Sequence, residues 1–374
     1  MENLSSKARQ IEFHPLKLTK KQQLTKTIYA LEFEIPSNLK PKYTFKAGQY
    51  VTLQFYWDGE WVQKDFSMTS APFEKKISLG IKVNSDRSPV NSLIQNVEVG
   101  AEVSVSTPRG RFTLVSKPHE FRTIVGFAGG IGITPILSHF KNILFTEPRT
   151  RLFLFYGNKT FTDVAFRKEL DELKSQYEDR LEIYHFYSRE KVGNGIYEGR
   201  LDEKKVALII NQFLLLDDTD EESTIWDAVD EVLICGKGEM IKSLANACYK
   251  HGIPKKNIHF ELFEEFNEDI YPVEKEFPLQ KDIAVDFKLL GQNHHTTLAN
   301  NKMRLLQQLL IQKFPVPYSC KSGICGSCEC ILEEGEVELL ENEYLTDKEA
   351  AAGKILACMS VVLSKKIKVN FDLV

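Results

Sequence analysis

Long apolar runs are missing from this 374-residue chain. Nothing approaches the roughly 20 apolar residues of a membrane-spanning helix, so no span is expected. The opening MENLSSKARQIEF has no apolar core and does not read as a secretory signal. A cytoplasmic location is therefore the default expectation. A basic surplus is missing too: 48 Lys and Arg face 52 Asp and Glu, for a formal net charge of −4. That argues against a dedicated nucleic-acid binder. With 43% hydrophobic residues, the chain also lacks the apolar-poor, highly charged composition of disordered proteins. Internal repeats and low-complexity tracts are absent. Cysteine is scarce, at seven residues, too few for a disulfide scaffold.

Five of those seven cysteines fall between Cys320 and Cys358. In a reducing compartment such clustering points to metal ligation. The pattern is Cys320-x4-Cys325-x2-Cys328, followed much later by Cys358. This is the plant-type spacing for a [2Fe–2S] cluster. Zinc sites usually pair two short knuckles, whereas here one loop supplies three sulfurs and a distant element supplies one. The asymmetry favours iron–sulfur. Gly323 and Gly326 let the loop curl with its N–H groups toward the sulfurs. Cys330 is expected to be a small buried filler, and Cys248 a structural residue on a helix.

The rest of the chain divides by pattern. From about 11 to 118, strand-like runs (27–35, 48–56, 76–83 and 101–108) alternate with Gly, Pro, Asn and Asp clusters, as in an antiparallel β-barrel or sandwich. From 119 to 265, strands and helices alternate, which implies an α/β domain with a parallel sheet. RTIVGFAGG (122–130), RLFLFYGN (151–158), LEIYHFYS (181–188) and EVLICG (231–236) read as strands, and PILSHFKNILF and FRKELDELKSQY as helices. Residues 266–281 are charged, carry two prolines and read as a linker. Residues 282–374 form a third domain, with a helix expected near TLANNKMRLLQQLL. The acidic run DDTDEE (217–222) reads as a solvated loop.

PYSCKSGICGSCEC, with LACMS around Cys358, resembles the plant-type ferredoxin domain. That resemblance implies an α+β (β-grasp) fold with Cys320, Cys325, Cys328 and Cys358 as ligands. A second motif joins a strand to a helix: Phe127-Ala128-Gly129-Gly130-Ile131-Gly132-Ile133-Thr134-Pro135. Exposed N–H groups at a helix start suit a pyrophosphate. Thr134 is expected to cap the helix, with Pro135 at its first position. The motif is not G-x-G-x-x-G; it resembles the GG-x-G-[IV]-T-P signature of the ferredoxin–NADP⁺ reductase superfamily. Cys235-Gly236-Lys237-Gly238-Glu239-Met240 resembles the turn that lies beside the nicotinamide there, with Lys237 where proline is usual. Ser188 and Arg189 stand where NADPH-preferring relatives bind the 2′-phosphate. A hydroxyl beside a guanidinium suits a phosphate, so NADPH is favoured over NADH.

Lys64-Asp65-Phe66-Ser67 resembles the superfamily's R-x-Y-S flavin motif. The resemblance implies that Lys64 meets flavin phosphate, Phe66 packs on the ring and Ser67 bonds near flavin N5. Lysine keeps the charge but loses the fork, and phenylalanine keeps the face but loses the hydroxyl. Pro89-Val90-Asn91-Ser92 resembles a second site of that superfamily, which implies that Asn91 and Ser92, at a helix start, meet the flavin pyrophosphate. Pro108-Arg109-Gly110-Arg111-Phe112 resembles the turn that closes the barrel. Glu261 sits where relatives bring an acidic or hydroxyl group to the flavin; it also reads as part of a final strand.

The order of flavin barrel, nucleotide domain and C-terminal ferredoxin resembles oxygenase reductases of the phenylacetyl-CoA epoxidase and 3-ketosteroid 9α-hydroxylase kind. Phthalate dioxygenase reductases share this order but use FMN; the closer likeness of the whole barrel to the epoxidase group implies FAD. NADPH delivers a hydride and a [2Fe–2S] cluster takes single electrons, so a flavin must stand between them. Hydride transfer to flavin N5 is then expected, with Ser67, Phe66, Cys235 and Glu261 positioning the rings. Electrons would pass through the cluster to an oxygenase or another acceptor protein. A general NADPH–ferredoxin-type reductase or diaphorase, and an electron carrier with an impaired nicotinamide site, are the other readings.

Overall fold

The β-rich first third folds as its alternation requires. The structure is a computed structural model and describes residues 11–83, 87–213, 228–264, 266, 268–272, 275–318, 321–323, 326–342 and 344–373. It divides into two units, Ile11–Glu264 and the described residues of 265–374.

In the first unit, β1 (Phe13–Gln23), β2 (Ile28–Glu34), β3 (Tyr50–Trp57), β4 (Glu60–Ser67), β5 (Lys76–Lys82) and β6 (Glu102–Ser106) form one antiparallel sheet in the order β4-β3-β6-β1-β2-β5. Its two edge strands meet where Met68 bridges Leu79, so the sheet curls into a barrel. Leu16, Leu18, Phe33, Val51, Leu53, Leu79 and Val105 fill the interior. Two strands escape a reading by periodicity. β1 is rich in Lys and Gln and buries only Leu16 and Leu18. β4 is mostly exposed and is set by its turn instead. Asp58 and Gly59 both have positive φ (49° and 87°) between the paired Trp57 and Glu60. This is the hairpin geometry that Asp-Gly favours. A short helix, α1 (Pro89–Asn96), follows β5.

A parallel sheet completes this unit. Its elements run β7 (Arg122–Gly129), α2 (Ile133–Thr146), β8 (Thr150–Asn158), α3 (Arg167–Gln176), β9 (Leu181–Tyr187), α4 (Glu203–Phe213), β10 (Val229–Gly236), α5 (Gly238–Lys250) and β11 (Ile258–Leu262). The strand order is β11-β10-β7-β8-β9. The chain therefore winds outward in both directions from β7. In open α/β sheets, ligands bind at such a reversal, outside the carboxyl ends of the strands. Gly129 and Gly236 end the two strands that flank it.

Helix α2 locks the sheet to the barrel. Ser138 Oγ donates to Ser70 O at 2.7 Å, and Lys141 Nζ sits 2.6 Å from Glu74 and 2.9 Å from Glu169. His139 Nε2 lies 2.9 Å from Phe112 O. Its complete burial is the main cause that lowers the imidazole pKa to about 4.

In the second unit, β12 (Lys281–Leu289), β13 (Gln292–Asn300), β14 (Glu329–Glu334), β16 (Lys354–Leu356) and β18 (Lys366–Asn370) form a mixed sheet ordered β13-β12-β18-β14-β16. β15 (Val337–Leu339) pairs with β17 (Ser360–Val362), and α7 (Asp347–Ala351) precedes β16. Helix α6 (Leu305–Ile311) buries Leu305, Leu306 and Leu309 in the core of this unit. The helix expected near 297–310 is shorter than its apolar pattern suggests. Thr297–Asn300 finishes β13, and Asn300 Oδ1 accepts from Lys302 N at 2.9 Å to turn the chain. Described residues of 266–281 bond to this unit: Asp269 pairs with Arg304 and Lys275 with Glu338. The acidic run 217–222 lies outside the described residues.

Candidate functional site

Three expected residues converge in the first unit. Ser67 ends β4, Cys235 lies near the end of β10, and Glu261 stands beside Cys235 on β11 in parallel register. Ser67 Oγ donates to Glu261 Oε2 at 2.9 Å, and Cys235 Sγ donates to Glu261 O at 3.5 Å. All are buried, with Glu261 8% exposed and Cys235 0%. Removing a carboxylate from water disfavours its charge. Burial accordingly lifts Glu261 to about 7, the Ser67 bond pulls it back, and the charge on Asp65 adds a little. Burial, and then Glu261, push the Cys235 thiol well above its usual value. Near neutral pH Glu261 is therefore poised between its protonated and ionised forms, beside a Cys235 thiol that stays protonated.

The glycine turn adjoins this cluster. A Cβ on Gly132 would sit 2.1 Å from Cys235 O, and Cβ atoms on Gly129 and Gly236 would strike Met240 Sδ at 2.6 and 2.9 Å. Backbone thus touches backbone where β7 and β10 end. Gly130 has φ +54°, and a Cβ there would meet nothing within 4 Å. The turn is tight inside and open outside, which fits close approach by a dinucleotide. The capping expectation needs correction. Gly130–Gly132 form a 3₁₀ turn and α2 begins at Ile133, so Pro135 is its third residue. Thr134 Oγ1 donates back to Ile131 O at 3.1 Å instead of accepting a helix N–H.

The remaining expected residues lie on β4, on α1 and just beyond β9. Lys64 is exposed on β4, and Phe66 packs partly against the barrel core. Sequence reasoning gives Arg109 no binding role, although the closing turn brings its guanidinium over the Tyr50 ring, 5.4 Å from the centroid. Arg109 bonds Thr52, lies 3.8 Å from Asp65, and its buried Nε has no partner among the described residues. Asn91 is buried as the third residue of α1, and Ser92 lies next to it. The cap of α1 is Ser88, whose Oγ accepts from Asn91 N at 3.1 Å. Its place just before Pro89 is the signal that could have found it. Ser188 donates to Asn158 O at 3.2 Å, and Arg189 is exposed beyond β9. Lys82 is held below the usual lysine range by burial first, then by Lys159 and Lys237. Glu264 and Asp163 pull the other way.

The second site lies in the second unit. Cys328 and Cys358 are both buried, and Cys358 N donates to Cys328 Sγ at 3.3 Å. Ala357 N donates to Cys328 O at 3.1 Å. The two candidate sulfur ligands at either end of the motif's long gap thus meet. Cys320 and Cys325 lie outside the described residues. Gly323 and Gly326 have φ of +76° and +67°, and Cβ atoms there would lie 2.6 Å from Glu341 O and 2.3 Å from the Tyr344 ring. Only glycine fits this curl. A backbone N–H aimed at a cysteine sulfur is what a thiolate-ligated cluster uses, so these residues fit a [2Fe–2S] group. Cys330 is fully buried on β14, where burial keeps its thiol protonated.

Three stretches of the chain match known families. Residues 15–114 match the oxidoreductase FAD-binding domain, 127–246 the oxidoreductase NAD-binding domain and 287–363 the 2Fe-2S iron-sulfur cluster binding domain. The chain is 29% identical over 365 residues to one of the subunits of the 1,2-phenylacetyl-CoA epoxidase of Escherichia coli (strain K12), covering 96% of this chain and 98% of that one. It is 30% identical over 349 residues to the ferredoxin reductase component of 3-ketosteroid-9-alpha-monooxygenase of Rhodococcus rhodochrous, covering 91% and 92%. Among solved structures, an intact type IV self-sufficient cytochrome P450 monooxygenase shares the fold with a TM-score of 0.58 at 20% identity, over 96% of this chain and 41% of that one.

Proposed function

Since the chain belongs to the family of oxygenase ferredoxin reductase components, which join FAD-binding, NAD-binding and 2Fe-2S domains, we propose that it carries electrons from NADPH to an oxygenase of the phenylacetyl-CoA epoxidase kind. Residues 11–118 hold FAD, 119–265 hold NADPH and 282–374 hold the cluster. When bound, the flavin would supply the conversion of one nicotinamide hydride, with its electron pair, into two single electrons for the [2Fe–2S] group.

The observation that carries this reading is the Ser67–Glu261–Cys235 contact. It joins the end of the flavin-motif strand to the end of the nicotinamide-side strand. Ser67 donates to Glu261 Oε2 and fixes the carboxyl, which takes up and releases its proton beside the reacting rings. Cys235 and Phe66 exclude water and set ring orientation. Lys64, with Arg109, neutralises flavin phosphate, and Asn91 and Ser92 line the flavin pyrophosphate. Gly129, Gly130, Gly132, Thr134 and Gly236 let NADPH approach the strand ends, and Ser188 and Arg189 take its 2′-phosphate. Cys320, Cys325, Cys328 and Cys358 hold the two irons. A cytoplasmic location belongs to the same reading, since free thiolates persist in a reducing compartment.

Anaerobic stopped-flow mixing tests it. NADPH alone should bleach the flavin absorbance within a turnover. If dithionite bleaches it and NADPH does not, the nicotinamide site is not functional and the proposal fails.

A further inference from the structure

A cation is buried behind the fourth cysteine. Arg304 precedes α6 and is 4% exposed. Its Nη1 lies 2.6 Å from Asp269 Oδ1 and 3.4 Å from the carbonyl oxygen of Cys358. Its Nη2 is buried with no hydrogen-bond partner among the described residues. The placement is built rather than incidental. Gln307 Nε2 donates to Asp269 Oδ1 at 3.1 Å, while Gln307 Oε1 accepts from Arg304 N at 3.2 Å. Leu306 N donates to Ala357 O at 3.0 Å, which seats the helix start on the segment carrying Cys358.

Desolvating a guanidinium is costly unless opposite charge answers it. Asp269, and beyond it Glu341, answer only in part: the Asp269 side chain is 34% exposed and water screens it. Two ferric irons bridged by two sulfides and held by four thiolates carry net negative charge, which grows on reduction. We propose that Arg304 sets the reduction potential of the [2Fe–2S] cluster, favouring its reduced form, and that Asp269 restrains this effect. Arg304 is a positioning residue here: it acts through space and through the Cys358 carbonyl, and transfers nothing itself. The inference rests on the iron–sulfur reading of the cysteines.

Redox titration of the full chain, followed by EPR, tests it. Iron and acid-labile sulfide are measured first in each protein. Arg304→Gln should lower the cluster's midpoint by about tenfold in the reduced-to-oxidised ratio, which is 59 mV for one electron. Arg304→Lys should recover most of that loss. Asp269→Asn should move the midpoint the opposite way, because it frees the cation from its counter-charge. The flavin midpoint serves as the internal reference. A purely structural pair would give the same direction of change in both variants, or altered cluster content without a shifted midpoint. Loaded Arg304→Gln protein with an unchanged midpoint, or shifts of one sign in both variants, would overturn this proposal alone. Should Arg304→Gln fail to load, the lysine and asparagine variants decide the sign. Wild-type protein without iron and sulfide would remove the cluster reading itself, and this proposal with it.

Discussion

Glu261→Gln isolates the cost of burying a carboxylate at the junction of barrel and sheet. The glutamine keeps the size of Glu261 and can still accept from Ser67, but it cannot ionise. In the folded chain Glu261 titrates at about 7 against an ordinary 4.5. Between those values the folded state binds more protons than the unfolded state, so stability falls as pH rises through the window. Each pKa unit corresponds to about 1.4 kcal/mol, and the separation therefore amounts to roughly 3 kcal/mol above neutrality. Wild type and variant should be similarly stable below about pH 4. The variant should draw ahead by up to roughly 3 kcal/mol toward pH 8.5. Urea unfolding followed by tryptophan fluorescence reads this unit, since Trp57, Trp61 and Trp226 all fall between residues 11 and 264 of the sequence. A gap between the two proteins that is constant with pH, or that widens toward acid, refutes the reasoning. If Glu261 also holds a proton beside the flavin, the rate of flavin reduction in wild type should inflect near the same pH. That inflection should vanish in the variant.

The other predictions follow from single contacts. Cys358→Ser should remove or destabilise the cluster while NADPH still bleaches the flavin; unchanged cluster absorbance would exclude Cys358 as a ligand. Gly132→Ala places a methyl 2.1 Å from Cys235 O, which should cost roughly 1–3 kcal/mol and weaken nucleotide binding, as read by calorimetry. His139 is buried with its pKa lowered to about 4, so its contribution is complete above pH 6.5 and is lost as pH falls toward 4. The loss should reach roughly 3 kcal/mol, and His139→Gln should flatten that acid limb in urea unfolding. Arg189→Ala should reduce the preference for NADPH over NADH in steady-state kinetics, through KM more than kcat.

What the sequence makes legible is local. The spacing Cys320-x4-Cys325-x2-Cys328 and the run Gly129-Gly130-Ile131-Gly132 are continuous stretches, in which chemistry and backbone conformation are written side by side. The parallel strands are legible because burial on both faces makes them nearly all apolar. β1 and β4 are not, because each buries few side chains and draws its place from its neighbours. Thr134 is not the cap its position suggests, because the 3₁₀ turn ahead of α2 depends on the close approach of Gly132 to Cys235, which lies far away in the chain. The same holds for Arg304, whose partners Asp269 and Cys358 come from either side of it in the sequence. Arg109 is visible as part of a turn, but its position over Tyr50 needs the closed barrel. Tertiary meetings of this kind leave no periodic trace.

The most direct test of the electron path is EPR on anaerobic protein reduced by NADPH alone. NADPH, with no other reductant, should generate the signal of a reduced [2Fe–2S] centre in protein that contains iron and acid-labile sulfide. A bleached flavin with a silent cluster, in protein shown to contain both, would contradict it.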